Sequence, residues 1–135
     1  MISVFIISHG AFGRELLKTA ESIVGKQESV FTLELAQEDS LDTLKASIKE
    51  LLDDLPGSDG ALILSDMLGG TPCNASLVFS QEYNIEIASG LNLYMLISAL
   101  VNRKMMPLAQ LVEKVINDGK KNIANVKKMF MQKLA

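Results

Sequence analysis

Short runs of β-branched and apolar residues alternate along this chain with longer segments in which apolar residues recur at helical spacing. The first run reads Ile-Ser-Val-Phe-Ile-Ile, and the segment after it carries apolar residues three or four positions apart up to Gly25. An unbroken apolar run is typical of a strand buried on both faces, and the longer spacing is typical of an amphipathic helix. The pattern predicts strands at residues 2–7, 30–35, 61–64 and 85–88.

Capping residues mark the helices between these strands. Ser40 and Asn92 stand at the predicted N-caps of the second and fourth helices. Thr71 and Pro72 have the form of an N-cap followed by proline at the first helical position. The proline–glycine pair at residues 56–57 is expected to end the second helix, and a glycine is expected to close the fifth. The predicted helices are 12–24, 41–55, 72–81, 93–103 and 107–119.

The strict alternation of strand and helix predicts the fold class. It favours an α/β fold with a mostly parallel open sheet and helices on both faces, because parallel neighbours require crossover connections. The chain is expected to form a single domain over residues 1–135. In the common strand order 2-1-3-4, the loops after strands one and three meet where the order reverses. Residues 123–134 fit neither a helix nor a strand clearly.

The composition is that of an ordinary globular domain. Of 135 residues, 48% are hydrophobic and 21% are charged, and the net charge is −3. Five lysines between residues 120 and 133 are interpreted as a solvated face, so nucleic acid is not an expected partner. Cys73 is the only cysteine, which excludes an intrachain disulfide and favours a reducing compartment. Without a secretory signal or a membrane-length apolar run, the chain is expected to be cytoplasmic.

The candidate chemistry lies after strands one and three. Ser8, His9 and Gly10 follow the first strand and include the only histidine of the chain, and Asp66 follows the third strand. If Asp66 accepts a hydrogen bond from one ring nitrogen, it fixes the tautomer and leaves the other nitrogen as a nucleophile. Gly10 leaves room for a bulky group beside the ring.

A glycine pair and a helix start follow Asp66 along the chain. Gly69, Gly70 and the helix that begins at Thr71-Pro72 supply backbone N–H groups that are free to bind an anion. Imidazole, carboxylate and anion cradle together predict a site that carries a phosphoryl group on His9. One histidine and one cysteine cannot supply a usual zinc ligand set, so no metal site is expected.

Four short segments of the chain carry the motifs on which a resemblance to a known family rests. They are Ser-His-Gly at residues 8–10, Glu-Leu-Leu at 15–17, Asp-Met-Leu-Gly-Gly-Thr-Pro-Cys-Asn-Ala at 66–75 and Gly-Leu-Asn-Leu-Tyr-Met-Leu at 90–96. These segments resemble the enzyme IIA domain of the mannose-type sugar phosphotransferase system, and the similarity covers essentially the whole chain. The resemblance implies that His9 is phosphorylated and that Asp66 is its partner. It further implies phosphate contacts from Thr71 and from the backbone of Gly70, Pro72, Cys73 and Asn74. Ser8, Gly10 and Gly69 are expected to support this site, although Ser8 and Cys73 stand where relatives often carry other residues.

The resemblance also implies partners for this chain. The donor would be the phosphocarrier protein HPr, and the acceptor would be a histidine of a separate IIB component. That component serves a IIC/IID membrane permease that imports a hexose or amino sugar, and no cofactor is implied. The family also implies a homodimer in which a C-terminal antiparallel strand, at about residues 120–135, is exchanged between subunits.

Three other functions share parts of this pattern. A response-regulator receiver has the same size and alternation and would be phosphorylated on Asp66. Its Mg²⁺ site requires acidic residues after strand one, where this chain has Ser8 and His9. A flavodoxin-like nucleotide-binding module would need a glycine-rich phosphate loop after strand one, and none follows. The sequence also permits a third function, that of a regulatory relative that receives phosphate only as a signal.

Overall fold

Strand and helix alternate along the chain as its hydrophobic pattern predicts. The computed structural model describes residues 1–55 and 59–134. Within them the strands are β1 (Ser3–His9), β2 (Val30–Leu35), β3 (Ala61–Ser65) and β4 (Ile85–Ala88). The helices are α1 (Phe12–Val24), α2 (Leu41–Asp53), α3 (Thr71–Leu77), α4 (Leu93–Asn102), α5 (Leu108–Lys121) and α6 (Val126–Leu134).

The described strands form one parallel sheet in the order β2-β1-β3-β4, which confirms the predicted order. Val4 of β1 lies opposite Val30 of β2 on one side and Leu62 of β3 on the other. Because β1 is central, its residues are buried from the first onward, and only the last, His9, is exposed. The sheet therefore presents the histidine at the exposed carboxyl end of a buried inner strand.

Helices cover both faces of the sheet, so the fold has two cores. Val4 and Ile6 pack in the core that includes α1, α4 and α5, whereas Phe5 and Ile7 pack in the core with α2 and α3. Successive side chains of a strand point to opposite faces, so one apolar run supplies both cores. This double coverage confirms the predicted α/β class and explains why β1 shows no polar alternation.

Two of the predicted helix starts are confirmed by their hydrogen bonds. The Ser40 side chain accepts a hydrogen bond from the Thr43 amide at 3.1 Å, and Asn92 Oδ1 accepts one from the Met95 amide at 3.0 Å. Each side chain satisfies an N–H group that has no partner inside its helix. These caps set where α2 and α4 begin.

Several predicted helix boundaries differ from the structure. Gly70 is the N-cap of α3, so Thr71 is its first helical residue, and the helix ends at Leu77, before a series of turns, instead of near residue 81. Helix α5 continues through Gly119 to Lys121, and a Cβ at this glycine would lie 2.4 Å from Met95 Cγ. That glycine serves close packing of α5 on α4 and not helix termination. The proline–glycine pair at residues 56–57 lies outside the described residues, and α2 ends at Asp53.

The C-terminal segment is helical where an antiparallel strand was predicted. Residues Val126–Leu134 form α6, and every residue of that helix is exposed. A helix satisfies its backbone hydrogen bonds locally, whereas a strand needs a neighbour, so a segment without a partner adopts the helix. The exchange of this segment between two copies stays a prediction. No helix within residues 1–55 and 59–134 has the length and apolar character needed to cross a bilayer.

Candidate active site

The loops after β1 and β3 meet at one carboxylate oxygen. Asp66 Oδ2 accepts a hydrogen bond from the backbone N–H of His9 at 2.9 Å and lies 2.8 Å from the ring nitrogen Nδ1 of the same residue. The two residues come together because β1 and β3 are neighbours in the sheet and their carboxyl ends lie at the same edge. Asp66 therefore holds both the backbone and the ring of His9.

The hydrogen bond to Asp66 assigns the two ring nitrogens different roles. A carboxylate can only accept, so Nδ1 of the neutral ring carries the proton and Nε2 carries the lone pair. Nε2 makes no hydrogen bond to any residue in the part of the chain that the structure describes. The His9 side chain is 47% exposed, whereas that of Asp66 is 12% exposed. The half-exposed ring therefore has a free lone pair on Nε2, while the Asp66 carboxylate that orients the ring is largely shielded from solvent.

Burial and hydrogen bonding act on Asp66 in opposite directions. Burial raises the pKa of the Asp66 carboxyl, but the hydrogen bonds from the His9 backbone and ring outweigh burial and hold the pKa below its ordinary value. The second oxygen, Oδ1, is buried and has no hydrogen-bond partner among the described residues. His9 is thus the principal group that keeps this carboxylate ionised.

The chain at the start of α3 approaches one edge of the imidazole at Gly70. A Cβ added at Gly70 would come within 3.3 Å of His9 Cε1, so the glycine lets the loop approach the ring closely. Asn74 Nδ2 donates to the Gly69 carbonyl at 3.3 Å, which closes the loop upon itself. Thr71 lines an open cavity of about 720 Å³ together with His9 and Gly10.

Three of the predicted site residues have buried side chains. Pro72 and Cys73 pack into the protein from the first turn of α3, so only their backbone can face the cavity. Ser8 is also buried, and its hydroxyl binds the amide of Gly13 instead of facing solvent. These residues shape the site without exposing their side chains to it.

The other wall of the cavity was not predicted from the sequence. It consists of the loop between β2 and α2, and its lining residues are Leu35, Ala36, Gln37, Glu38, Asp39 and Leu41. The strand order places the end of β2 beside the end of β1, which is the one signal in the sequence that pointed to this loop. The loop adds apolar and acidic side chains to a site that was predicted from its phosphate-binding side alone.

Exposed apolar side chains flank His9. Phe12 is 46% exposed, although it belongs to the apolar stripe of α1, and Met67 and Leu68 are 59% and 83% exposed. Phe12 is the first residue of α1, three positions after His9, and Met67 and Leu68 lie on the loop that carries Asp66. Within residues 1–55 and 59–134, no three His, Cys, Asp or Glu side chains are grouped so that they could hold a metal ion.

The fold and site together define an α/β domain with a histidine–aspartate pair at the switch point of a parallel sheet. A family model described as "PTS system fructose IIA component" matches residues 3–116 of the chain. The chain therefore belongs to the mannose/fructose-type enzyme IIA family of the sugar phosphotransferase system (PTS), whose members are phosphotransferases.

Named relatives agree with this assignment. The chain is 31% identical over 136 residues to the mannose-specific EIIAB component of Escherichia coli K12, and the match covers 99% of this chain and 42% of that protein. It is 31% identical over 113 residues to the fructose-specific EIIA component of Bacillus subtilis, covering 83% and 77% of the two chains. The chain thus spans about two-fifths of the length of the EIIAB component.

A solved structure matches the whole fold. The crystal structure of the EIIA component from Streptococcus agalactiae superposes with a TM-score of 0.88 at 34% sequence identity. The match covers 95% of this chain and 99% of that one, which extends the likeness beyond the segment matched by the family model.

Proposed function

We propose that this chain is a phosphoryl carrier that accepts a phosphoryl group from phospho-HPr on His9 and passes it to a IIB component. The observation that carries the proposal is the pairing of Asp66 with His9, which lines an open cavity. Family membership supports the reaction class. The relatives are named for mannose, fructose and sorbose, and we propose a role in sugar uptake without assigning the sugar.

The nucleophile in this proposal is Nε2 of His9. Its lone pair attacks the phosphorus of the donor phosphohistidine, and the donor's N–P bond breaks as the Nε2–P bond forms. The His9 ring becomes cationic and keeps its proton on Nδ1, where Asp66 stabilises the positive charge. Transfer to the IIB histidine reverses these steps, so no proton has to leave the site and no cofactor is required.

The backbone N–H groups of Thr71 and Cys73 are the proposed phosphate contacts within the Gly70–Asn74 segment, because those of Gly70 and Asn74 donate to the carbonyls of Met67 and Gly70. Gly70 lies against the ring and Thr71 lines the cavity, so this segment is adjacent to a group bound on Nε2. The first N–H groups of a helix have no partner within the helix. Pro72 has no N–H and contributes a fixed backbone angle in place of a hydrogen bond.

HPr and IIB are proposed to dock in turn on the surface around His9. Exposed apolar side chains mark protein interaction sites where they form a patch, and Phe12, Met67 and Leu68 are exposed apolar residues close in sequence to His9 or Asp66. Glu38 in the opposite wall of the cavity favours a partner with basic side chains at the same place. One surface serves both partners because each must reach the same nitrogen.

A homodimer that exchanges residues of about 120–135 is proposed as the assembled form. Helix α6 carries exposed apolar residues, among them Val126, Phe130 and Leu134, and none of its residues is buried. Strand β4 pairs with β3 alone among the described strands, so its outer edge is free to pair with a segment from another copy.

The receiver alternative loses support from the site itself. Asp66 is largely buried and its Oδ2 is bound by His9, so it is poorly placed to accept a phosphoryl group. The regulatory alternative differs from the carrier only in the fate of the phosphate, because a regulator would retain it when IIB is added.

Incubation with enzyme I, HPr and phosphoenolpyruvate tests the proposal. We expect a phosphoryl group on His9 that is stable in alkali, labile in acid, and lost on addition of IIB. His9→Ala should remove the label. A label that persists in His9→Ala, or that is alkali-labile and depends on Mg²⁺, would contradict the proposal.

A further inference from the structure

A buried hydroxyl beneath His9 connects the end of β1 to the start of α1. Ser8 has no exposed surface, and its Oγ accepts a hydrogen bond from the Gly13 amide at 2.9 Å. The N-cap residue of α1, Ala11, makes no side-chain cap. Ser8 therefore supplies from the strand the hydrogen bond that an N-cap side chain normally supplies to its own helix.

Close packing holds this connection in place. A Cβ at Gly13 would lie 2.5 Å from Ile6 Cγ2 and 3.0 Å from Ser8 Oγ, so the first turn of α1 rests directly on β1. Ser8 Oγ also lies 3.5 Å from the Gly10 carbonyl, at the long limit of a hydrogen bond. The hydroxyl thus contacts both ends of the turn that follows His9.

The position of the imidazole depends on this turn. The ring is half exposed and is held mainly by Asp66, which also binds the His9 backbone N–H. Gly10 follows with φ of +53°, and its amide donates to the Leu35 carbonyl at 2.9 Å. Because glycine tolerates many backbone angles, the turn needs an external restraint to keep His9 aligned with Asp66.

We propose that Ser8 is a positioning residue for phosphoryl transfer. Its hydroxyl binds the Gly13 amide, fixes the turn between β1 and α1, and thereby keeps Nδ1 of His9 within hydrogen-bonding reach of Asp66. The inference rests on the proposed function of His9. Ser8 acts through the backbone and does not touch the phosphoryl group, because its side chain is buried.

The test compares Ser8→Ala with Ser3→Ala. Ser3 is a matched control, because it lies on the same strand, is buried, and its Oγ has no hydrogen-bond partner among the described residues. Two measurements are made on each variant: the ¹⁵N NMR shifts of the unphosphorylated His9 ring, which report its tautomer, and the kcat and KM for transfer from phospho-HPr.

We expect Ser8→Ala to lower kcat by about tenfold or more, because small displacements of a reacting group reduce rates strongly. KM for phospho-HPr should change by less than about twofold, since the docking surface is intact. The share of the Nδ1-protonated tautomer should fall in the same variant. Ser3→Ala should match the wild type in all three quantities, whereas a purely structural role of Ser8 would leave the tautomer unchanged.

Two further variants separate the hydroxyl from side-chain volume. Ser8→Thr keeps the hydroxyl on a β-branched residue suited to a strand and should restore kcat and the tautomer. Ser8→Cys keeps the volume with a weaker acceptor, so it should be impaired even if Ser8→Ala does not fold.

Wild-type kcat and tautomer in Ser8→Cys, or equal losses in Ser8→Ala and Ser8→Thr, would overturn the inference. Failure of the wild-type chain to be labelled would instead contradict the proposed function, while the tautomer measurement still tests Ser8.

Discussion

At the scale of single residues, one oxygen atom organises the site. Asp66 Oδ2 binds both the backbone and the ring of His9, and the pKa of this buried carboxyl stays low because of that contact. Phosphorylation of Nε2 would make the ring cationic, so the same contact becomes an ion pair in the carrier state. In the proposed mechanism, the carboxylate would select Nε2 as the nucleophile and stabilise the phosphorylated ring.

Asp66→Asn tests this role directly. The asparagine has to place its carbonyl oxygen at the Oδ2 position to accept from the His9 backbone N–H, so it keeps the tautomer but removes the negative charge that would stabilise a cationic phosphorylated ring. By analogy with hydrolytic triads, we expect transfer from phospho-HPr to slow by about a hundredfold or more. Single-turnover kinetics measure the effect, with the exposed Asp42→Asn as the control. Equal rates in Asp66→Asn and the wild type would mean that Asp66 only closes a turn.

The lowered pKa of Asp66 also predicts a pH dependence of stability. A carboxyl whose pKa is lower in the folded state stabilises the fold above its unfolded pKa of about 4 and loses that contribution as the pH falls through the folded value. The difference in unfolding free energy between wild type and Asp66→Asn should therefore shrink on acidification below about pH 4. Urea unfolding at a series of pH values measures it. A difference that does not vary with pH would contradict the assigned pKa direction.

Single residues also show how far the sequence predicted the site. The pairing of His9 with Asp66 followed from strand order alone, because both residues directly follow neighbouring strands. The loop that carries Glu38 was missed, because a cavity wall depends on how a loop folds back and no motif encodes that. The connection from Ser8 to Gly13 was missed for a similar reason, since a hydrogen bond between a strand and the next helix leaves no periodic signal.

At the scale of elements, one buried cation joins α4 to the opposite end of the sheet. The Arg103 guanidinium is buried and donates to the carbonyls of Ile2, Glu28 and Ser29 and to the side chain of Gln27. Burial lowers the pKa of Arg103. These contacts fix the start of β1 and the loop before β2, whereas His9 lies at the other end of β1.

Arg103→Met should therefore separate stability from activity. The substitution leaves several buried carbonyls without a donor, and we expect a loss of about 3 kcal/mol in unfolding free energy. Phosphorylation of His9 should continue well below the melting temperature, because the site lies at the far end of the strand. Urea unfolding and the labelling assay measure the two effects. A stability within about 0.5 kcal/mol of the wild type would contradict the role assigned to Arg103.

The elements were predictable where local chemistry decides them. The buried strands and the caps at Ser40 and Asn92 follow from residue type and spacing. The continuation of α5 through Gly119 could not be predicted from the sequence. This glycine makes room for a side chain on α4, and that contact is visible only in the packed structure. The predicted C-terminal strand is a helix in the structure, α6. A strand needs a neighbouring strand to pair with, and the single chain supplies none for this segment.

At the scale of the whole molecule, the open edge of β4 and the exposed α6 support assembly of two copies. We expect the chain to sediment as a dimer in analytical ultracentrifugation. A truncation after Lys121 keeps α5 and should be monomeric, and it should still be labelled on His9, because no described contact to the site comes from residues 122–134. A monomeric full-length chain would contradict the exchanged dimer and leave the chemistry of His9 untouched.

The most direct measurement of the central claim is ³¹P and ¹⁵N NMR of the chain after labelling by enzyme I, HPr and phosphoenolpyruvate. The account predicts one phosphoramidate whose phosphorus is bonded to Nε2 of His9, with Nδ1 protonated and hydrogen-bonded to Asp66. A phosphoryl group on Nδ1, or an acyl phosphate on Asp66, would contradict it.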